Sequence, residues 1–219
     1  MHTIYNLASG PLVWAALIIF IGGSLYRLLS MALVARKKDH IVFEYWSFRY
    51  ALRSIARWLT PFGTVNMRQK PVMTFAAFAF HLCAVLAPIF LYAHMILVKE
   101  AWDFGWFSIP DTAADVMTLI VILGCIFFLL RRVTQKEVRY LTSASDFVLL
   151  LIVAAPFITG FWAYHQWAGS AWVTVIHMLC GEIMLAAIPF TRLSHMFFFP
   201  FTRGYIGSEF GAVRFARDW

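Results

Sequence analysis

Charge is scarce in this chain. Only 13% of its 219 residues are Asp, Glu, Lys or Arg, whereas 62% are hydrophobic, and the mean hydropathy is +0.74. A water-soluble domain of this length cannot cover so much apolar side chain, so the class is integral membrane and all-α. Length is equally short. Five apolar stretches, roughly Leu12–Val34, Val72–Val98, Ala113–Leu130, Phe147–Trp167 and Val173–Phe201, approach or exceed the about 20 residues of a spanning helix. What remains leaves no room for a soluble domain. The expected organisation is a single membrane domain over 1–219, built as a five-helix bundle.

Other absences narrow the function. The chain has three cysteines, Cys83, Cys125 and Cys180, all inside the apolar stretches. No two carry the spacing of a metal or redox motif, so they read as small core residues. The first apolar stretch lacks a preceding basic region and a small-residue cleavage site, which reads as a retained signal-anchor helix. No internal repeat is present. The tetrapeptide PFTR occurs at Pro189–Arg192 and Pro200–Arg203 without longer similarity around it. The missing repeat, and the rarity of Gly-interrupted spans, count against a carrier.

The charges that are present are sorted. Arg36, Lys37, Lys38, Arg49, Arg53, Arg57, Arg68 and Lys70 separate the first two spans; Arg131, Arg132, Lys136 and Arg139 separate the third and fourth; Arg203, Arg214 and Arg217 follow the fifth. The other side has Lys99 with Glu100, Asp103, Asp111 and Asp115. The positive-inside rule then puts the N-terminus outside and the C-terminus in the cytoplasm. The net charge of +7 is mainly topological and does not indicate nucleic acid.

The cytoplasmic segment at about 36–70 is amphipathic. Glu44–Thr60 reads as a helix ended by Pro61 and Gly63, with Arg49, Arg53 and Arg57 four apart on one face. Two readings stay open: a helix on anionic headgroups, or a basic face that docks a cytoplasmic partner or meets haem propionates. Outside, Trp102, Phe104, Trp106 and Phe107 fit the interfacial aromatic belt, and fit equally a partner surface or the roof of a quinone site.

Histidines are the exception to all this apolarity. His177 and His195 fall in the fifth stretch, and His81 and His94 in the second. On an ideal helix the first pair, 18 residues apart, is five full turns and roughly 27 Å apart on one face. The second pair, 13 apart, is roughly 20 Å apart and more than half a turn out of phase. Pro88 and Pro189 lie between the members of each pair, so kinks can relieve the mismatch. Because successive spans run in opposite directions, His81 should match His195 in depth, and His94 should match His177. Imidazole in hydrocarbon marks function by default, and two depth-matched pairs suit two b haems with bis-histidine ligation. Arg192, just before His195, is placed for an inner propionate. His165 is the alternative outer ligand. His2 and His40 are expected in solvent.

Two segments carry a family resemblance. VIHMLCGEIMLAAIPFTRLSH, Val175–His195, resembles the last helix of the respiratory nitrate reductase gamma-subunit family, and FHLCAVLAPIFLYAH, Phe80–His94, resembles its second helix. The second-helix spacing is longer here than in nitrate reductase itself. Together with SIARWLTPFGTVNMRQKP, Ser54–Pro71, it is more similar to the cytochrome b subunits of transmembrane redox complexes in sulfate-reducing prokaryotes. Those are the high-molecular-weight cytochrome c (Hmc) complex and its Tmc and Dsr relatives. The resemblance implies two haem b groups held by His81, His94, His177 and His195, with menaquinone exchanging near the outer haem. It also implies a cytoplasmic iron–sulfur, heterodisulfide-reductase-like subunit near the inner one, other membrane subunits, and a periplasmic multihaem cytochrome c. The location implied is a bacterial or archaeal cytoplasmic membrane.

The function expected is electron transfer across the membrane between menaquinone or cytochrome c and the iron–sulfur partner. Glu182, an acid inside the fifth span, and Lys99, at the outer surface, are candidates for quinone or proton handling, beside Glu100 and His165. A neutral, hydrogen-bonded Glu182 is the structural alternative. A histidine-relay proton channel and a cofactor-free membrane anchor are the competing functions, and haem content separates both from the first.

Overall fold

The computed structural model describes residues 2–39 and 41–219; His40 lies outside them. Every regular element among the described residues is helical. Eight helices organise them: α1 (His2–Lys38), α2 (Phe48–Leu59), α3 (Pro71–Phe90), α4 (Tyr92–Trp102), α5 (Asp111–Thr134), α6 (Ala144–Tyr164), α7 (Ser170–Ala187) and α8 (His195–Ser208). Five segments are long and apolar enough to span a membrane: α1, α3, α5, α6 and Ser170–Phe190. In α1 the ladder widens at Ala8–Leu12, where Pro11 brings no N–H. His2 opens α1 and is exposed.

Two expected spans are broken. The second, read as Val72–Val98, is α3 followed by α4, because Leu91 leaves the helical region (φ −68, ψ 130). The fifth, read as Val173–Phe201, ends its α-helix at Ala187. It passes through 3₁₀ turns at Ile188–Phe190 and Arg192–Ser194, with Thr191 extended between them (φ −122, ψ −176). Pro189 cannot donate to the ladder, and the Thr191 hydroxyl accepts from the Leu193 N–H at 3.3 Å, restarting the chain as a new helix. His177 and His195 therefore do not share one helix, and neither do His81 and His94. The expectation of a common axis and a common face for His177 and His195 is corrected. The PFTR copies also differ: the first spans the break and the second sits inside α8. The helix expected over Glu44–Thr60 starts at Phe48 and not at Glu44, which ends a separate turn, Ile41–Glu44.

Backbone contacts divide the chain into two compact units. One comprises Phe75–Gly181 with the first residues of α1. Its core is Cys83, Ala87, Val121, Cys125, Ala154 and Phe157. Gly124 lets Phe80 lie against α5, since a Cβ there would meet Phe80 Cδ2 at 2.7 Å; small residues permit such approach where lipid offers no hydrophobic drive. The α5–α6 connection is fixed by Asp146. Its carboxylate accepts from the Ser143 N–H at 2.9 Å and faces Arg132 at 3.7 Å. Cys83 and Cys125 are buried core residues and Cys180 is half-buried; all three are free thiols.

The other unit comprises Ser9–Thr74 and Glu182–Trp219. Gly23 of α1 sits under Pro189, whose Cγ would be 2.8 Å from an added Cβ. α2 and the residues just before it pack along α8 through small residues: Gly204 against Trp46, and Gly207 against Ser54 and Tyr50. The Ser47 N–H donates to Ser208 Oγ at 3.0 Å. The C-terminal residues close over this pair. The Arg53 and Arg57 guanidinium groups lie 4.7 and 5.6 Å from the Trp219 ring, and Arg203 lies 3.9 Å over Trp58. Asp218, its side chain 2% exposed, takes the Ser54 hydroxyl. Part of the basic face of α2 is thus covered by the chain itself.

This crossing has a sharp expected sensitivity. A Cβ at Gly207 would lie 2.4 Å from Ser54 Cβ and 2.7 Å from the Tyr50 carbonyl oxygen, so backbone must move. Gly207→Val is expected to cost about 1–3 kcal/mol or more by overpacking, read as a lower thermal midpoint of the detergent-purified protein. Gly22→Val, where an added Cβ meets nothing within 4 Å, should leave the midpoint in place.

Candidate functional site

The break at Leu91 creates the site. Rotating ψ at one residue disconnects the helical bonds that would run from the carbonyls of Pro88, Ile89 and Phe90 to residues four further on. Each of these oxygens has another donor. Pro88 O accepts from His94 Nδ1 at 2.7 Å, Ile89 O from the Trp106 indole N–H at 2.8 Å, and Phe90 O from the Ile109 N–H at 3.0 Å. A buried carbonyl in an apolar setting needs such a partner. One of them is an imidazole, so the break also orients His94.

His177 comes from α7 and lies against α6. Its Nδ1 is 2.9 Å from Pro156 O. Gly160, one turn on, supplies the room: an added Cβ would meet His177 Cε1 at 2.8 Å and Nδ1 at 3.1 Å. The two ring centroids are then 5.9 Å apart and the planes 13° from parallel. A metal centre held by both rings would take them through their ε nitrogens. His94 and His177, expected to pair, are brought together, and the phase mismatch of the second span disappears at Leu91.

All four histidines share one feature. Besides His94 and His177, His81 Nδ1 lies 2.7 Å from Ala77 O, and His195 Nδ1 lies 2.8 Å from Arg192 O. A carbonyl only accepts, so Nδ1 carries the proton and, in the neutral ring, Nε2 keeps the lone pair. That is the tautomer of a metal-ligating histidine whose second nitrogen is anchored by a backbone carbonyl. His81 is tied to its own preceding turn and is exposed; His195 opens α8 and is exposed. Arg192 contributes its carbonyl to the His195 ring, and its side chain is exposed.

His165 is differently engaged. Its Nε2 lies 3.2 Å from Asp115 Oδ1, and its ring sits among Phe161, Tyr164 and Trp167. The nitrogen a metal would use is directed to a carboxylate. Glu182 of α7 is half-buried, and its Oε1 is buried without a hydrogen-bond partner. Lys99 is exposed in the last turn of α4 and caps it, its carbonyl accepting from the Asp103 N–H at 2.8 Å. No group of three or more His, Cys, Asp or Glu suited to a metal ion occurs among the described residues; a bis-histidine centre needs only two.

Gly160 and Pro156 were not singled out from the sequence, and Trp106 was read only as one of four outer aromatics of a belt, a partner surface or a quinone roof. Pro156 and Gly160, four apart in an apolar span, carry a signal that could have found the cradle, because small residues mark close helix contact. Trp106 carries none, since it reads as one more belt aromatic.

The family described as nitrate reductase gamma subunit matches residues 71–170. A protein of Nitratidesulfovibrio vulgaris (strain Hildenborough), described only as "Protein", is 37% identical over 219 residues, which covers 96% of this chain and 95% of that one. No solved structure matches the chain significantly.

Proposed function

We propose, from the match of residues 71–170 to the nitrate reductase gamma-subunit family, that the chain is the di-haem cytochrome b subunit of a respiratory redox complex. A multi-pass membrane subunit of the cytochrome b type follows from the family and the five apolar helices. The observation that supports the finer reading is the close approach of His94 and His177, each with Nδ1 on a backbone carbonyl and Nε2 in the ligand tautomer. These two would hold the outer haem. His81 and His195, in the same tautomer, would supply the ligands of the inner one, with Arg192 near a propionate. Bound haem b supplies one-electron redox chemistry. The chain's part is to fix ligand tautomer, ring orientation and an apolar setting.

Within this reading, residues 1–219 form one cytochrome b domain with the N-terminus outside and the C-terminus in the cytoplasm. Menaquinone would be the lipid-soluble substrate near His94 and His177. A cytoplasmic iron–sulfur subunit would stand near His81 and His195. Other membrane subunits and a periplasmic multihaem cytochrome c would complete a complex of the sulfate-reducer type in a bacterial or archaeal cytoplasmic membrane. Glu182, an acid with a buried, unpartnered oxygen, is the proton-handling residue of the pair Glu182 and Lys99 that the structure favours by burial.

The test is a reduced-minus-oxidised spectrum with pyridine haemochrome quantitation on the complex. Two b haems per chain are expected, and none would return the chain to a histidine-relay channel or a cofactor-free anchor. Glu182→Gln should keep the haem spectrum while slowing menaquinol turnover about tenfold or more. Loss of haem from that variant would make Glu182 structural.

A further inference from the structure

The outer loop does more than line the membrane surface. α4 ends at Asp103, in the left-handed region (φ 54), and the chain folds back. At Gly105 an added Cβ would lie 3.3 Å from Met95 Sδ and 3.4 Å from Lys99 Cδ, so the loop passes close over α4. It then reaches the Leu91 break. Phe107 stacks on Phe90 with centroids 4.8 Å apart, the Ile109 N–H takes Phe90 O, and the Trp106 indole takes Ile89 O.

A tryptophan of the interfacial belt turns its N–H toward water or headgroups. Trp106 does the reverse. It is half-buried between the exposed Phe104, Gly105 and Phe107, and its single donor is spent on a main-chain carbonyl 17 residues back. That carbonyl lies between the two others released at the break, one of which holds the His94 ring.

We propose that Trp106 is a positioning residue for His94: its indole N–H, by occupying Ile89 O, holds the Leu91 break in the conformation that leaves Pro88 O for the His94 imidazole. Without that donor, the helical partner left to Ile89 O is the amide of Ala93, which it reaches by closing the break toward a continuous helix. Such closure rotates α4 about α3 and withdraws His94 from His177. The idea that His94 is a haem ligand comes from the reading above; the lock on the break does not depend on it.

The test uses the full-length protein in its complex. Trp106→Phe keeps an aromatic ring and deletes the N–H. Amide exchange at Ala93 is expected to slow roughly tenfold, because closing the break gives its N–H the Ile89 carbonyl, a gain of about one net hydrogen bond. The low-field electron paramagnetic resonance signal and midpoint potential of one haem should shift while the other haem keeps its values. Phe107→Leu removes aromatic surface from the same loop and no hydrogen bond, and should leave exchange at Ala93 and His94 near wild type. Trp106→His, which retains a ring N–H, should return exchange part of the way to the wild-type rate. Unchanged exchange and spectra in Trp106→Phe overturn the proposal and leave the haem assignment standing. Equal effects from Trp106→Phe and Phe107→Leu also overturn it, since ring area and not the N–H would then matter. A wild-type complex without b haem overturns the haem reading alone, and the exchange data still decide the lock.

Discussion

Replacing His94 by alanine should lower the haem b content from two per chain to one, with no loss of assembled protein. The ring lost is one of two whose centroids are 5.9 Å apart, and nothing else within the break carries a ligand nitrogen. The measurement is pyridine haemochrome quantitation beside a protein assay, on the complex purified from membranes. His165→Ala is the discriminating control. His165 was the alternative outer ligand, but its Nε2 is directed to Asp115 at 3.2 Å, so its removal should leave both haems. The opposite pattern, two haems in His94→Ala and one in His165→Ala, would move the outer ligand to the end of α6 and dissolve the role of the break.

The second large effect is expected from a residue with no functional group. Gly160→Val puts carbon where the His177 ring now lies, 2.8 Å from Cε1 at the Cβ alone. The ring cannot retreat without giving up Pro156 O, which holds its Nδ1 at 2.9 Å. Overpacking of about 1–3 kcal/mol should fall on the ligand geometry, and one haem should be lost or bound roughly tenfold or more weakly. Gly181→Val, on α7 with open space around it, should retain two. A Gly160→Val protein with both haems at full occupancy would show that His177 does not need its present orientation.

These two variants mark how far the sequence could be read. The five apolar helices were legible because a spanning helix must be about 20 apolar residues long whatever its neighbours do. The pairing of His94 with His177 was legible from depth alone. The breaks were not located. Pro88 and Pro189 pointed to their vicinity, yet the backbone leaves the helix at Leu91 and Thr191, neither of which is a helix breaker by type. A proline removes one hydrogen bond; where the chain turns depends on which later groups can take the released carbonyls. Trp106 and Ile109, well downstream, take two of them. The α2–α8 crossing was hidden for a related reason. Gly204, Gly207 and Gly211 show the spacing of a close helix contact, but only tertiary structure says that Tyr50 and Ser54 lie opposite. The basic face read for lipid or partner binding meets Trp219 for the same cause.

That crossing also imposes an order of events on biogenesis. Ser47 bonds to Ser208, 161 positions later in the chain. At about 5–20 residues per second, α2 leaves the ribosome on the order of ten seconds or more before α8 exists to cover it. An amphipathic helix with three arginines on one face has a natural resting place in that interval, the anionic surface of the bilayer. The headgroup reading of α2 would then describe the nascent chain, whereas in the finished chain the helix is folded under α8. A chain stalled before Ser208 would keep α2 uncovered, a ready mark for proteolytic quality control.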